Sequence, residues 1–221
     1  MGTSSAETQQ ARRLLMVNTQ LRTGDVVDHE LLDAFLQVPR ERFVATDFVE
    51  LAYLDREAPA LGAKARRLLR PLTLARMLQA ARVNAGDRAL DVGGGSGYGA
   101  AILKATGARP VLLESDSGAA AAARQEFGAL GLEIVEGPLE CGAKSLGPYD
   151  VIVIEGAFAV APDQLIAQLA SGGRLVGVDA IMGAPQAALY EKRAGGVSRR
   201  ALFEAGADLL DGFQPRASFV F

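Results

Sequence analysis

The stretch Ala89–Gly99, reading Ala-Leu-Asp-Val-Gly-Gly-Gly-Ser-Gly-Tyr-Gly, restricts what this chain can fold into more than any other. The apolar run Arg88–Val92 predicts a strand. The glycines after it allow a tight turn with a ligand close to the backbone, and Tyr98–Ala105 resumes helical periodicity. Strand, glycine turn and helix in that order make a nucleotide-type site, whose free N–H groups and helix N-terminus favour a carboxylate or phosphate. The alternation continues downstream: strand Pro110–Glu114, helix Ser117–Leu130, strand Leu132–Val135, a loop over Glu136–Gly147, strand Asp150–Ile154, helix Pro162–Leu169 and strand Arg174–Val178. Such repetition predicts an α/β fold, a doubly wound, mostly parallel sheet covered on both faces, with ligands at the carboxyl ends of its strands.

Two fingerprints overlap on the turn. Gly95-Ser96-Gly97-Tyr98-Gly99-Ala100 fits the GxGxxA form of the dinucleotide pattern, with the acidic Glu114 at a suitable distance downstream. The same residues read Asp91-x-Gly93-x-Gly95-x-Gly97. A carboxylate in that place puts like charge beside a pyrophosphate but complements an ammonium, so the second pattern is preferred. A glycine turn with no ligand is the plain structural alternative.

Around this centre the chain reads as one unit of 221 residues, 49% hydrophobic, enough for one good core. Over Ala11–Leu21, Leu14, Leu15, Val17 and Leu21 recur at helical spacing until Gly24. Asp28 is placed to cap a second helix with Leu31, Leu32, Phe35 and Leu36 on its buried face, ending before Pro39, and Val38–Val44 follows as a charged connector. Pro71 opens a helix through Val83, closed by Gly86. After Ala187, alternation in Ala188–Arg193, Arg199–Phe203 and Ser218–Phe221, with a turn at Ala194-Gly195-Gly196, predicts strands forming an antiparallel edge. The sole histidine, His29, reads as solvated, and Met16 and Met77 as core.

Lys and Arg total 23 against 26 Asp and Glu, a net charge of −3 with a pI near 5.3, so no global basic field recommends nucleic acid. The N-terminal residues lack a secretory pattern and no apolar run suits a bilayer, so neither a membrane nor secretion is expected. The lone Cys141 rules out an internal disulfide and a cysteine-rich metal site and suits a reducing cytoplasm, and no metal is expected.

Three N-terminal blocks then carry a resemblance: Met16-Val-x-x-Gln20-Leu21-Arg22, Val38-Pro39-Arg40-x-x-Phe43-Val44 and Ala52-Tyr53-x-Asp55. In order and spacing they resemble the protein-L-isoaspartate O-methyltransferases. The likeness continues through Asp91–Tyr98, Pro148-Tyr149-Asp150, Pro162-x-x-Leu165-x-x-Gln168-Leu169 and Gly172-Gly173-Arg174-Leu175-Val176, over roughly residues 14–180. Asp91-x-Gly93-x-Gly95-x-Gly97 likewise resembles the first motif of class I S-adenosyl-L-methionine (SAM) dependent methyltransferases. The resemblance implies a Rossmann-like methyltransferase fold with an N-terminal helical extension and substrate loop (1–70), a SAM-binding core (71–180) and C-terminal strands (181–221). It implies methyl transfer to the side carboxyl of L-isoaspartyl residues in damaged proteins, with a protein or peptide partner bearing an acidic acceptor.

By that resemblance Asp91 faces the methionine end of SAM and Tyr98 closes the cofactor motif. The backbone at Gly93, Gly95 and Gly97 approaches the ligand because side chains there would collide with it, and Glu114 accepts both ribose hydroxyls. Gly137-Pro138-Leu139 stands where the family has a Gly-Asp-Gly turn for the adenine amine, leaving that contact to backbone carbonyls or Glu136. Leu61–Pro71 departs more sharply. The family carries a hydroxyl-rich segment there that holds the substrate carboxylate, whereas here Arg67 and Leu69 stand at the hydroxyl positions, followed by Arg70. Lys64, Arg66, Arg67 and Arg70 allow three readings: an arginine clamp on a carboxylate, a solvated basic turn, or a basic surface for a partner. They also leave room for a family member with a different acceptor, or for a SAM-binding protein without catalysis. The reaction itself asks for alignment and desolvation rather than a base, because a carboxylate is already a nucleophile.

Overall fold

The computed structural model describes residues 5–127 and 131–215. Helix α1 (Ser5–Met16) begins earlier than its periodicity predicts and passes into a single π-helical turn, Val17–Leu21. The wider turn shifts the phase of the helix face. Of the residues at helical spacing, Val17 and Leu21 are buried, as is Met16, whereas Leu14 and Leu15 are 50% and 59% exposed. Helix α2 (His29–Gln37) starts where expected, with Asp28 accepting from the Leu31 amide at 3.0 Å, and buries Leu31, Leu32, Ala34 and Phe35.

The connector after α2 is not a solvated charged loop. Arg40 is fully buried, and Val44 bridges to Ala60 beside a small hairpin, β1 (Ala58–Pro59) with β2 (Arg67–Leu68). Helix α3 (Pro71–Ala81) carries its proline at the first turn and stops short of Val83, because Arg82 turns left-handed at φ 50°.

β3 (Arg88–Val92) is followed by α4 (Tyr98–Ala105), β4 (Arg109–Glu114), α5 (Ser117–Phe127) and β5 (Glu133–Glu136). After them come β6 (Tyr149–Phe158), α6 (Asp163–Ala167), β7 (Leu169–Asp179), β8 (Gln186–Arg193) and β9 (Gly196–Glu204). Seven strands form one sheet in the order β5-β4-β3-β6-β7-β8-β9, parallel as far as β7 and antiparallel through β8 and β9. The expected antiparallel edge is thus present in β8 and β9, whereas the strand expected over Ser218–Phe221 and the helix end at 128–130 lie outside the described residues. Helix α6 is shorter than the predicted Pro162–Leu169, since Leu169 already pairs with Tyr149 as strand.

Strand residues alternate between two apolar layers. Ala89, Val151, Val153 and Val176 pack with α2, α3, α4 and the N-terminal segment, while Leu90, Ile152, Ile154 and Leu175 pack with Leu165 of α6 and with Leu210 and Phe213. From β3 the chain winds outward to β5 and then returns to place β6 on the other side of β3. That reversal opens a crevice at the carboxyl ends of β3 and β6, where ligands of doubly wound sheets bind.

Candidate active site

Two carboxylates occupy this crevice. Asp91, opposite Val153 in the β3–β6 register, is completely buried, and Glu155, two residues further along β6, is 2% exposed. The pairing of β6 with β7 shifts register between Val153 and Ala157, an irregularity of the kind that re-aims a side chain next to a site. None of the four carboxylate oxygens has a hydrogen-bond partner among the described residues, because two ionised carboxylates offer each other only acceptors. With one of them protonated, they can bond to each other. Burial, then the like charge of Glu155, holds Asp91 well above the usual carboxylate range. Burial pushes Glu155 up to about 7, against the opposing pull of Asp91 and the Arg40 guanidinium.

Two glycines make room for this pair: a Cβ on Gly94 would overlap the Asp91 carboxylate, and one on Gly99 would overlap that of Glu155. Gly93, Gly95 and Gly97, expected to be small because side chains would strike a ligand, also have a reason to be small within the protein itself. All three have positive φ (71°, 62° and 93°). A Cβ would meet Leu210 at Gly93, Ala60 and Arg66 at Gly95, and Phe127 at 2.6 Å at Gly97. The turn is shaped by the protein packed around it.

Tyr98, expected beside the cofactor, faces inward. It is fully buried against Phe35 and Phe43, with the Arg40 guanidinium 4.8 Å above its ring. The Arg40 Nε donates to the Ala52 carbonyl and Nη2 to that of Leu69, both at 2.9 Å, which ties the connector to the Leu61–Pro71 segment. Glu114, expected to meet ribose, is fully buried at the end of β4. Its Oε2 accepts from the Gly95 amide at 2.8 Å, and its Oε1 accepts from the amides of Ser115 and Asp116 and from Arg66 Nε at 3.3 Å. Ribose hydroxyls therefore find open acceptor capacity on Oε2 only, unless Arg66 moves. Leu139 is buried 3.4 Å from the position of a Cβ on Gly93, while Pro138 is exposed and Glu136 pairs with Arg124 at 3.2 Å.

A cavity of about 680 Å³ opens at these strand ends, lined by Arg66, Arg67, Leu69, Ser115, Glu155 and Asp208 among others. Arg67 meets Glu57 at 3.3 Å and Asp208 at 3.9 Å. Arg70, grouped with them by sequence, points elsewhere: it pairs with Asp55 at 2.6 Å, outside the cavity wall, and Asp55 also caps α3 through the Leu72 amide at 3.1 Å. The basic segment is neither a free clamp nor a solvated turn, because each of these three arginines already meets an acid.

Glu155, Arg40 and the 205–213 return were not anticipated. Glu155 carried a usable signal, since Ile-Glu-Gly closes an apolar strand in the same way that Leu-Asp-Val-Gly closes β3. The return carried none. It runs back along β6 through the Ala157–Leu209 bridge and sets Leu210 against Gly93 and Gly156.

Residues 11–204 match the family model described as protein-L-isoaspartate(D-aspartate) O-methyltransferase. A protein-L-isoaspartate O-methyltransferase of Methylorubrum populi is 39% identical over 168 residues, 75% of this chain and 78% of the relative. One of Koribacter versatilis is 36% identical over 197 residues, 86% of each chain. Among solved structures, a Plasmodium falciparum protein described as a protein-L-isoaspartate O-methyltransferase, in complex with S-adenosyl-L-homocysteine, aligns with a TM-score of 0.74 at 19% identity. That alignment covers 90% of this chain and 98% of the other. A further protein-L-isoaspartate O-methyltransferase aligns with a TM-score of 0.78 at 21% identity, covering 92% of this chain and 66% of that one. The likeness to both is one of fold.

Proposed function

This chain belongs to the protein-L-isoaspartate O-methyltransferase family, and from that premise we propose that it transfers the methyl group of SAM to the side carboxylate of L-isoaspartyl residues in proteins. The observation that carries the reading is the buried Asp91 carboxylate, which has no donor of its own at the switch point of the sheet, beside a cavity of about 680 Å³. A ligand with an ammonium group fits that donor deficit, and the glycine turn gives it a path past the backbone.

In this reading Asp91 receives the ammonium, Glu114 offers Oε2 to the ribose, and Leu139 lies beside the adenine. When bound, the cofactor supplies a methyl group activated on a sulfonium, so the acceptor carboxylate needs no general base. The chain's task is alignment and exclusion of water. Leu69 and Leu210 dry the cavity, and Arg66 and Arg67 orient the acceptor, Arg67 exchanging Glu57 or Asp208 for the incoming carboxylate. Residues 1–221 act as one unit, because the N-terminal segment, the sheet and the 205–213 return all border the same site. The lone cysteine is consistent with work in the cytoplasm.

Titration with S-adenosyl-L-homocysteine followed by methyl-ester formation on an isoaspartyl peptide tests the proposal. Saturable binding and isoaspartyl-dependent ester formation are expected; a protein that does neither overturns it. A second reading keeps the cofactor and changes the acceptor. It is favoured by the arginines already being matched by acids, and it predicts binding without ester formation on that peptide.

A further inference from the structure

Asp91 and Glu155 lie together in a buried crevice, and no carboxylate oxygen of either has a hydrogen-bond partner among the described residues. Two carboxylates in such surroundings do not both remain ionised without compensation. From the connector the buried Arg40 supplies one positive charge, enough to offset one of them. From α4 the Tyr98 hydroxyl, itself without a partner, brings no charge. From β4 Glu114 adds a further negative charge that Arg66 and three backbone amides already hold. The cluster is thus one positive charge short, and Glu155 reaches the cavity wall where a ligand can supply it.

We propose that Glu155 is a second carboxylate of the ammonium subsite, sharing one proton with Asp91 in the ligand-free protein, and that this proton leaves to solvent when an ammonium-bearing cofactor or product binds. The proton holds the place that the ligand's ammonium later takes. No bond to carbon changes; one proton passes from the carboxyl pair to the buffer for each ligand bound. The inference rests on the cofactor reading above and adds a residue and a proton balance to it.

Calorimetric titration of the full chain with S-adenosyl-L-homocysteine in buffers of different ionisation heat counts the protons directly. About one proton released at pH 6, fading toward none above pH 8, is expected, with the dissociation constant rising up to about tenfold for each unit that the pH is lowered below 7. Glu155→Gln is expected to abolish the release. Independently of that variant's folding, 5′-methylthioadenosine, which lacks the ammonium, is expected to bind the unmodified protein with no release. Proton-neutral binding of S-adenosyl-L-homocysteine across this range overturns the inference and leaves the cofactor reading standing, as does equal release with 5′-methylthioadenosine or undiminished release in Glu155→Gln. No binding at any pH overturns both.

Discussion

The two walls of the cavity are built on opposite electrostatic terms. On the side proposed to meet the cofactor, Asp91 and Glu155 are buried with no hydrogen-bond partner to their carboxylates among the described residues. On the side proposed to meet the acceptor, Arg66 meets Glu114, and Arg67 meets Glu57 and Asp208. One wall carries charge the fold leaves unmet; the other carries charge it has already matched. A cation entering the first wall relieves a cost, because buried carboxylates without partners are unfavourable. A carboxylate entering the second has to replace one, so the net gain is small and turns on geometry. On the proposed assignment of the two sides, cofactor affinity and acceptor selectivity are set by different physics.

The largest expected effect tests whether the walls are mechanically joined. Arg40→Met leaves the buried carbonyls of Ala52 and Leu69 without a donor, and denaturant unfolding should show a loss of about 2–6 kcal/mol. A loss below about 1 kcal/mol would mean the two walls stand independently.

Next comes the unmet charge itself. Asp91→Asn should weaken S-adenosyl-L-homocysteine binding about 10- to 100-fold in calorimetry, and should raise the melting temperature of the ligand-free protein. Loss of both together would break the comparison. The pH dependence sharpens it. Glu155 keeps its proton to about pH 7 when folded but loses it near the ordinary carboxylate value when unfolded. Between those two values the folded state binds more protons, so stability of the ligand-free protein should fall as pH rises through that window, by on the order of 1–3 kcal/mol, and level off above it. Thermal melts from pH 4.5 to 8 should show this decline, flattened in Glu155→Gln.

The smallest effects belong to the matched wall. Arg67→Ala should raise the KM for an isoaspartyl peptide about three- to tenfold with the S-adenosyl-L-homocysteine affinity unchanged. Arg70→Ala, removing a half-exposed pair, should change stability by under about 1 kcal/mol and leave KM alone. Equal KM effects at the two positions would erase the distinction between an arginine on the cavity wall and one outside it.

What was legible in the sequence follows the same division. β3 and α4 span the predicted residues, and Asp28 caps α2, because a strand, a glycine turn and a cap are written in neighbouring residues. In the first helical segment Met16, Val17 and Leu21 are buried, but the exposure of Leu14 and Leu15 and the π turn at Val17–Leu21 have no compositional mark. Val-Pro-Arg-Glu-Arg reads as a charged surface, and only the carbonyls of Ala52 and Leu69, brought in by folding, make Arg40 a core residue. The glycines were visible but the protein packed against them was not: Gly95 faces Ala60 and Arg66, and Gly97 faces Phe127, none of them near in sequence. The basic segment misled most, since Arg66 finds Glu114 from 48 residues away and no local pattern records an ion pair over that span.

The 205–213 return has a consequence for how the protein comes into being. The glycine turn is synthesised more than a hundred residues before Leu210, which packs against Gly93 and Gly156. Until then the carboxyl ends of β3 and β6 stand open. A nascent chain stalled before this segment has the sheet's parallel strands but not their cover, so the crevice at the ends of β3 and β6 is completed only once this segment has been made.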